Sequence, residues 1–113
     1  MLSIFIVTGA ARGIGAVVVK KLLEQDHRVI GIDLNPALDT WEVTQQITPL
    51  QQQNFYSIAH DISDTQRLIE LIQQSPWADQ PITGLVNAAG ILEMGSLLES
   101  TAAQWQHNLA VNF

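Results

Sequence analysis

Residues 3–7, Ser-Ile-Phe-Ile-Val, form an unbroken apolar run with β-branched members. Such a run suits a strand buried on both faces of a parallel sheet. Over residues 13–25 the period changes. Ile14, Val17, Val18, Leu22 and Leu23 recur at helical spacing, and Lys20, Lys21 and Glu24 are left for solvent. The pattern predicts a helix whose apolar stripe carries those five residues. Consecutive valines lower its intrinsic propensity, which burial overrides. Residues 28–32, Arg-Val-Ile-Gly-Ile, read as a second strand that ends at Asp33. Strand, helix and strand together span about thirty residues, as a parallel crossover requires.

The pattern fades over residues 35–53, which hold Pro36, Pro49 and the run Gln51-Gln52-Gln53. Residues 39–47 have room for one short helix, and a surface excursion fits the stretch equally well. Periodicity resumes with a third strand at 54–59, leaving through His60-Asp61. Ser63 is the expected N-cap of a helix over 64–74, with Leu68, Ile69, Leu71 and Ile72 as its apolar side and Pro76 as its stop. Residues 82–86 predict a fourth strand, followed by Asn87-Ala88-Ala89-Gly90. Ser100 or Thr101 can cap a last helix to residue 113, with Trp105, Leu109 and Phe113 spaced four apart. There is no internal repeat. Alternating strands and helices predict an α/β fold with a parallel sheet. Four strands are too few for a complete two-half dinucleotide fold. The last helix also reaches residue 113 with no terminating Gly or Pro. The expectation is one nucleotide-binding domain over 1–113, the N-terminal half of a longer, doubly wound sheet.

Composition narrows the classes. Hydrophobic residues make up 47% of the chain, which argues against disorder. A formal net charge of −6 repels phosphate backbones, so nucleic-acid binding through a basic surface is not expected. An anionic ligand would instead be held by local dipoles. The absence of cysteine excludes a disulfide framework and thiolate metal sites, and suits a cytoplasmic protein. No apolar run approaches the roughly 18 residues of a membrane span. His27, His60 and His107 lack metal-ligand spacing, so no metal is expected. The three tryptophans, Trp41, Trp77 and Trp105, are expected to pack rather than stack on a ligand.

The chemistry concentrates where the first strand meets the first helix, in Thr8-Gly9-Ala10-Ala11-Arg12-Gly13-Ile14-Gly15. A tight turn out of a strand needs glycine, which tolerates angles that a Cβ forbids. The first N–H groups of the following helix have no partner within it, and the helix dipole is positive there. A pyrophosphate supplies both acceptors and negative charge. The spacing is G-x-x-x-G-x-G, not the G-x-G-x-x-G of the ordinary dinucleotide fingerprint. Asp33 lies 18 residues after Gly15, at the end of the second strand. A carboxylate there can accept ribose hydroxyls and would repel a 2′-phosphate, which favours NAD over NADP.

Thr8-Gly9-x-x-x-Gly13-Ile14-Gly15, Asp61 after the third strand and Asn87-Ala88-Ala89-Gly90 after the fourth resemble the short-chain dehydrogenase/reductase family. The resemblance covers the whole chain but only about the first half of that family's usual length. It implies the N-terminal half of a Rossmann-type α/β fold and an NAD-dependent oxidoreductase. By that likeness Gly9, Gly13, Ile14 and Gly15 frame the pyrophosphate. Asp61 and Ile62 meet the adenine, and Asn87, Ala88 and Gly90 line the path of the adenosine and ribose. Arg12 also falls in the cofactor set. A basic residue before the second glycine accompanies NADP preference in the family, whereas Asp33 points to NAD. Asp33 is expected to decide, because a buried like-charge clash costs more than a flexible surface arginine recovers. Ala110-Val111-Asn112 resembles the family's active-site asparagine, which relays protons through water toward a lysine.

The family's serine and Tyr-x-x-x-Lys pair have no counterpart here. The single tyrosine, Tyr56, falls in a predicted strand and is followed four residues later by His60. Without that tyrosine there is no general acid–base group at the reacting carbon, so these residues alone are expected to be inactive. The stretch Leu85-Val86-Asn87-Ala88-Ala89-Gly90-Ile91-Leu92-x-Met94-Gly95, with Trp105 and Asn112, is similar to family members that oxidise a cyclohexadiene diol to a catechol acid for siderophores. The implied partners are a small-molecule substrate and, for the full-length parent, further copies of itself. Another short-chain reductase, such as one acting on 3-oxoacyl carrier protein or a polyol, and a non-catalytic nucleotide-binding remnant remain open.

Overall fold

The computed structural model of the chain describes residues 3–37, 41–61 and 64–88. In chain order these form β1 (Ile4–Thr8), α1 (Gly13–Glu24), β2 (Arg28–Asp33), a 3-10 turn (Glu42–Gln45), a one-turn α2 (Pro49–Gln52), β3 (Phe55–Ala59), α3 (Thr65–Gln73) and β4 (Gly84–Asn87). The predicted last helix, with Trp105, Asn112 and the capping candidates Ser100 and Thr101, lies outside the described residues, as do Ile62, Ser63 and Gly90.

All four strands are parallel, in the order β3-β2-β1-β4. The chain therefore builds outward from β1 to β3, then crosses back to add β4 on the other side of β1. That reversal leaves a crevice between β1 and β4 at the carboxyl ends of the strands, the place where open α/β sheets bind ligands. These are the first four strands of the 3-2-1-4-5-6 order of a dinucleotide-binding sheet. The strands end nearly level: Thr8 is in register with Ile32 on one side and Asn87 on the other, and Asp33 with Ala59.

Alternation within each strand supplies two cores. Ile4, Ile6, Ile30, Ile32, Ile58 and Leu85 pack with Leu68 and Ile72 of α3 and with Trp77 on one face. Val7, Val29 and Ala10 pack with Val19 and Leu23 of α1 and with Trp41 and Val43 on the other. Helices thus cover both faces, which is why the strands read as continuous apolar runs.

Three sequence expectations are corrected. On α1 the buried residues are Gly15, Ala16, Val19 and Leu23. Val18 and Leu22 are half-buried, but Ile14 is 78% exposed and Val17 56% exposed. The cause is close approach: a small-residue face, Gly15-Ala16, is turned to the end of β1, and rotation about the helix axis carries Ile14 and Val17 outward. At the head of α3 the capping contact comes from Asp64, whose Oδ1 accepts the Arg67 N–H at 3.2 Å. The cap is therefore one residue later than expected, and Ser63 itself lies outside the described residues. Residues 35–53 are not a plain surface excursion. Trp41 and Val43 are fully buried, and the indole N–H of Trp41 donates to the Asn35 carbonyl at 3.0 Å. α2 follows, with the Thr48 hydroxyl accepting the Gln51 N–H and the Gln51 side chain accepting the Thr48 N–H.

Candidate functional site

β1 ends on Thr8, which is completely buried; its hydroxyl donates to Asn87 Oδ1 at 2.9 Å and so ties together the ends of β1 and β4. The loop that follows turns through Gly9 at φ 66° and Gly13 at φ 62°, both in the left-handed region. A side chain there would be strained, which accounts for glycine at both positions. Gly15 is glycine for another reason. A Cβ built on it would run into the Gly9 carbonyl, so the first turn of α1 can lie against the loop only without a side chain.

Hydrogen bonds from β2 and the segment after it hold the loop. Ala11 N–H donates to Asp33 Oδ2 at 3.0 Å, and Asn35 N–H to Oδ1 of the same carboxylate at 3.1 Å. Gly13 N–H donates to Glu42 Oε2 at 3.2 Å, and Glu42 N–H to the Ala11 carbonyl at 2.8 Å. Ala10 N–H donates to the Ile32 carbonyl at 3.1 Å. The next N–H groups, of Ile14 and Gly15, belong to the first turn of a helix, where no carbonyl of the helix can reach them.

Above this loop opens a cavity of ≈ 530 Å³ lined by Gly9, Arg12, Gly13, Ile14, Asp33, Leu34, Asp61 and Ala88. Its volume falls within the range of small-ligand pockets, about 300–1,000 Å³. Its residues come from four strand exits: the loop after β1, the end of β2, the exit of β3 and the exit of β4. One wall is the positive end of α1, another is the pair Asp33 and Asp61, and Ile14 and Leu34 give apolar surface between them. The cavity can therefore take an elongated ligand with an anionic part at the loop and hydroxyl donors near Asp33.

Of the residues singled out from sequence, Gly9, Arg12, Gly13, Ile14, Asp33, Asp61 and Ala88 meet in this one cavity. Gly15 and Asn87 do not line it: Gly15 packs against the Gly9 carbonyl, and Asn87 bonds to Thr8. Ile62, Gly90 and Asn112 are outside the described residues. Tyr56 is in β3, half-buried against the α3-side core. Sequence reasoning missed Leu34 and Glu42, and named Thr8 in the motif without giving it a role of its own. Leu34 could have been found as an apolar residue directly after a strand-ending acid. Thr8 was legible as a polar residue closing an apolar strand. Glu42 had no local signal, because its contact spans 29 residues.

A profile described as short chain dehydrogenase matches residues 3–113. The chain is 30% identical over 106 residues to 2,3-dihydro-2,3-dihydroxybenzoate dehydrogenase from Escherichia coli (strain K12), covering 94% of this chain and 38% of that protein. It is 26% identical over 106 residues to the 3-oxoacyl-(acyl-carrier-protein) reductase FabG of Buchnera aphidicola subsp. Acyrthosiphon pisum (strain APS), covering 94% of this chain and 41% of that protein. Among solved structures, a betaketoacyl-(ACP) reductase from Bacteroides thetaiotaomicron superimposes with a TM-score of 0.72 at 21% identity, covering 98% of this chain and 57% of that one. The chain spans about two fifths of the length of these curated relatives.

Proposed function

The chain belongs to the short-chain dehydrogenase family, and on that premise we propose that its cavity holds the adenosine and pyrophosphate portion of NAD. The single observation that carries this reading is the convergence of the glycine loop, the N-terminus of α1 and the Asp33 carboxylate on one cavity. The cradle fits the group: the turn at Gly15 leaves no room for a Cβ, which lets backbone N–H groups approach a pyrophosphate. In this reading the Ile14 and Gly15 N–H groups take phosphate oxygens. Leu34 and Ile14 flank the base, and Asp61 borders it with Ile62. Ala88, with Asn87 and Gly90, lines the ribose side.

Asp33 already accepts two backbone N–H groups, one on each oxygen. A carboxylate offers about four lone-pair sites, so it can hold the loop and still accept ribose hydroxyls. The same charge would oppose a 2′-phosphate, which is the ground for NAD rather than NADP. Arg12 lies between the residues held by Asp33 and Glu42 and offsets part of that charge.

The cofactor, when bound, accepts or gives a hydride at its nicotinamide ring. We assign the proton chemistry to a serine and Tyr-x-x-x-Lys set outside these 113 residues, with Asn112 contributing to the relay. The substrate reading is 2,3-dihydro-2,3-dihydroxybenzoate, oxidised to 2,3-dihydroxybenzoate in siderophore biosynthesis. It rests on the stretch from Leu85 to Gly95 and on the likeness to the E. coli enzyme. Aromatisation favours that product. A second reading, reduction of a 3-oxoacyl carrier protein, is favoured by the likeness to the Buchnera reductase.

Calorimetric titration of the 113-residue chain with NAD and with NADP tests the cofactor. Saturable NAD binding that is tighter than NADP binding is expected; tighter NADP binding overturns the NAD assignment. Assay of the complete coding sequence with the dihydrodiol and with a 3-oxoacyl thioester separates the two substrates.

A further inference from the structure

Glu42 sits in the segment that the hydrophobic pattern left blank, yet it makes two bonds to the glycine loop. Its N–H donates to the Ala11 carbonyl at 2.8 Å, and its Oε2 accepts the Gly13 N–H at 3.2 Å. The main chain at Glu42 is fixed from both sides by Trp41 and Val43, each with no exposed surface. The Asp33 carboxylate meanwhile accepts the Ala11 N–H at 3.0 Å. The loop is thus gripped at Ala11 and Gly13, on either side of Arg12.

The direction of the grip matters. Gly13 lines the cavity and Glu42 does not. The Glu42 carboxylate thus holds the Gly13 N–H without being one of the residues that line the cavity. A carboxylate at this point also interacts favourably with the positive end of α1. Gly13 has φ 62°, and a Cβ built on it would meet nothing within 4 Å, so no packing against that position fixes its backbone.

We propose that Glu42 is a positioning residue of the cofactor loop, holding Gly13 so that the Ile14 and Gly15 N–H groups face the cavity. The proposal rests on the NAD reading above. Without the clamp the loop samples other shapes, and affinity falls by the fraction of time it is competent.

The test is NAD titration of the 113-residue chain as wild type, Glu42→Ala and Glu42→Gln, with the Gly13 amide followed by NMR. The Glu42 side chain is exposed, so neither change opens a cavity in the core. Alanine removes the acceptor and is expected to weaken NAD binding about tenfold, the equivalent of one charge-assisted hydrogen bond. Glutamine keeps an acceptor oxygen and should restore affinity to within about twofold of wild type by the same measure. The Gly13 amide proton should move upfield in E42A and stay near its wild-type position in E42Q. If E42A lowers only the melting temperature and binds NAD like wild type, the positioning role is wrong while the NAD reading stands. If the wild type binds neither NAD nor NADP, the NAD reading fails and the role built on it fails too.

Discussion

The Thr8 hydroxyl donates to Asn87 Oδ1 at 2.9 Å, joining the last residues of two strands that are 79 positions apart in the chain. Thr8 is fully buried and Asn87 is exposed. The bond therefore joins the two strand ends at the floor of the crevice, from a buried hydroxyl to an exposed residue. Thr8→Val removes the donor at nearly constant volume, and Asn87 can turn to water. A loss of about 1 kcal/mol is expected, the ordinary net worth of such a bond. Urea unfolding measures it, and a midpoint equal to wild type would mean the contact does not hold β4 in place.

Gly13 and Gly15 should respond differently to alanine, although they are two residues apart in one motif. At Gly13 a Cβ meets nothing within 4 Å, so the cost is that of left-handed backbone, about 1–2 kcal/mol. At Gly15 the Cβ runs into the Gly9 carbonyl, and backbone has to move. Overpacking against fixed atoms costs about 1–3 kcal/mol and displaces the loop as well. Gly15→Ala should therefore abolish measurable NAD binding, while Gly13→Ala should lower the melting temperature and weaken NAD binding only in part. Equal NAD affinities in the two variants would contradict this division.

Asp33 carries two roles that substitution can separate. Asp33→Asn keeps one carbonyl oxygen for a backbone N–H but loses the charge; Asp33→Ala loses both acceptors for Ala11 and Asn35. Two unit charges 4 Å apart interact by about 1 kcal/mol in water and about 4 kcal/mol near a protein surface. Removing the charge should therefore shift the NADP-to-NAD affinity ratio toward NADP by at least about fivefold in both variants. D33A should in addition bind NAD more weakly than D33N. Titration with both dinucleotides decides the matter, and an unchanged ratio would move selectivity to Arg12.

The parts legible in the sequence share a physical basis. β1 and β2 are buried on both faces, so each reads as an apolar run, and Gly9, Gly13 and Gly15 are required by local backbone geometry. The meeting of Asp33 with Asp61 and Ala88 followed from strand exits falling at one sheet edge. Two errors came from reading size as burial. Ile14 and Val17 are the larger apolar residues at the start of α1, but the sheet is approached by Gly15 and Ala16 because only small residues fit that contact. α2 went unread, although Thr48-Pro49-Leu50-Gln51 holds a capping box with proline at the first helical position. Trp41 was expected to pack and does, but where it packs and the role of Glu42 were not legible, because a 3-10 turn has no periodicity long enough to show, and their partners are far away in sequence.

Trp41 gives the sharpest test of that opaque segment. It has no exposed surface, packs with Val7, Ala11, Val19 and Leu23, lies 6.4 Å from Phe55 ring to ring, and donates to the Asn35 carbonyl. Trp41→Ala leaves a large void there and should cost about 3–5 kcal/mol. That is a large share of the roughly 5–15 kcal/mol that holds a typical domain together. Trp41→Phe fills most of the space but leaves the Asn35 carbonyl without the indole N–H, so it should fall between the wild type and alanine. Because Glu42 is the next residue, the alanine variant should also weaken NAD binding at temperatures where the chain is still folded. Chemical denaturation followed by circular dichroism gives the stabilities. A change under about 0.5 kcal/mol in W41A, the range of surface substitutions, would show that the segment merely rests on the sheet.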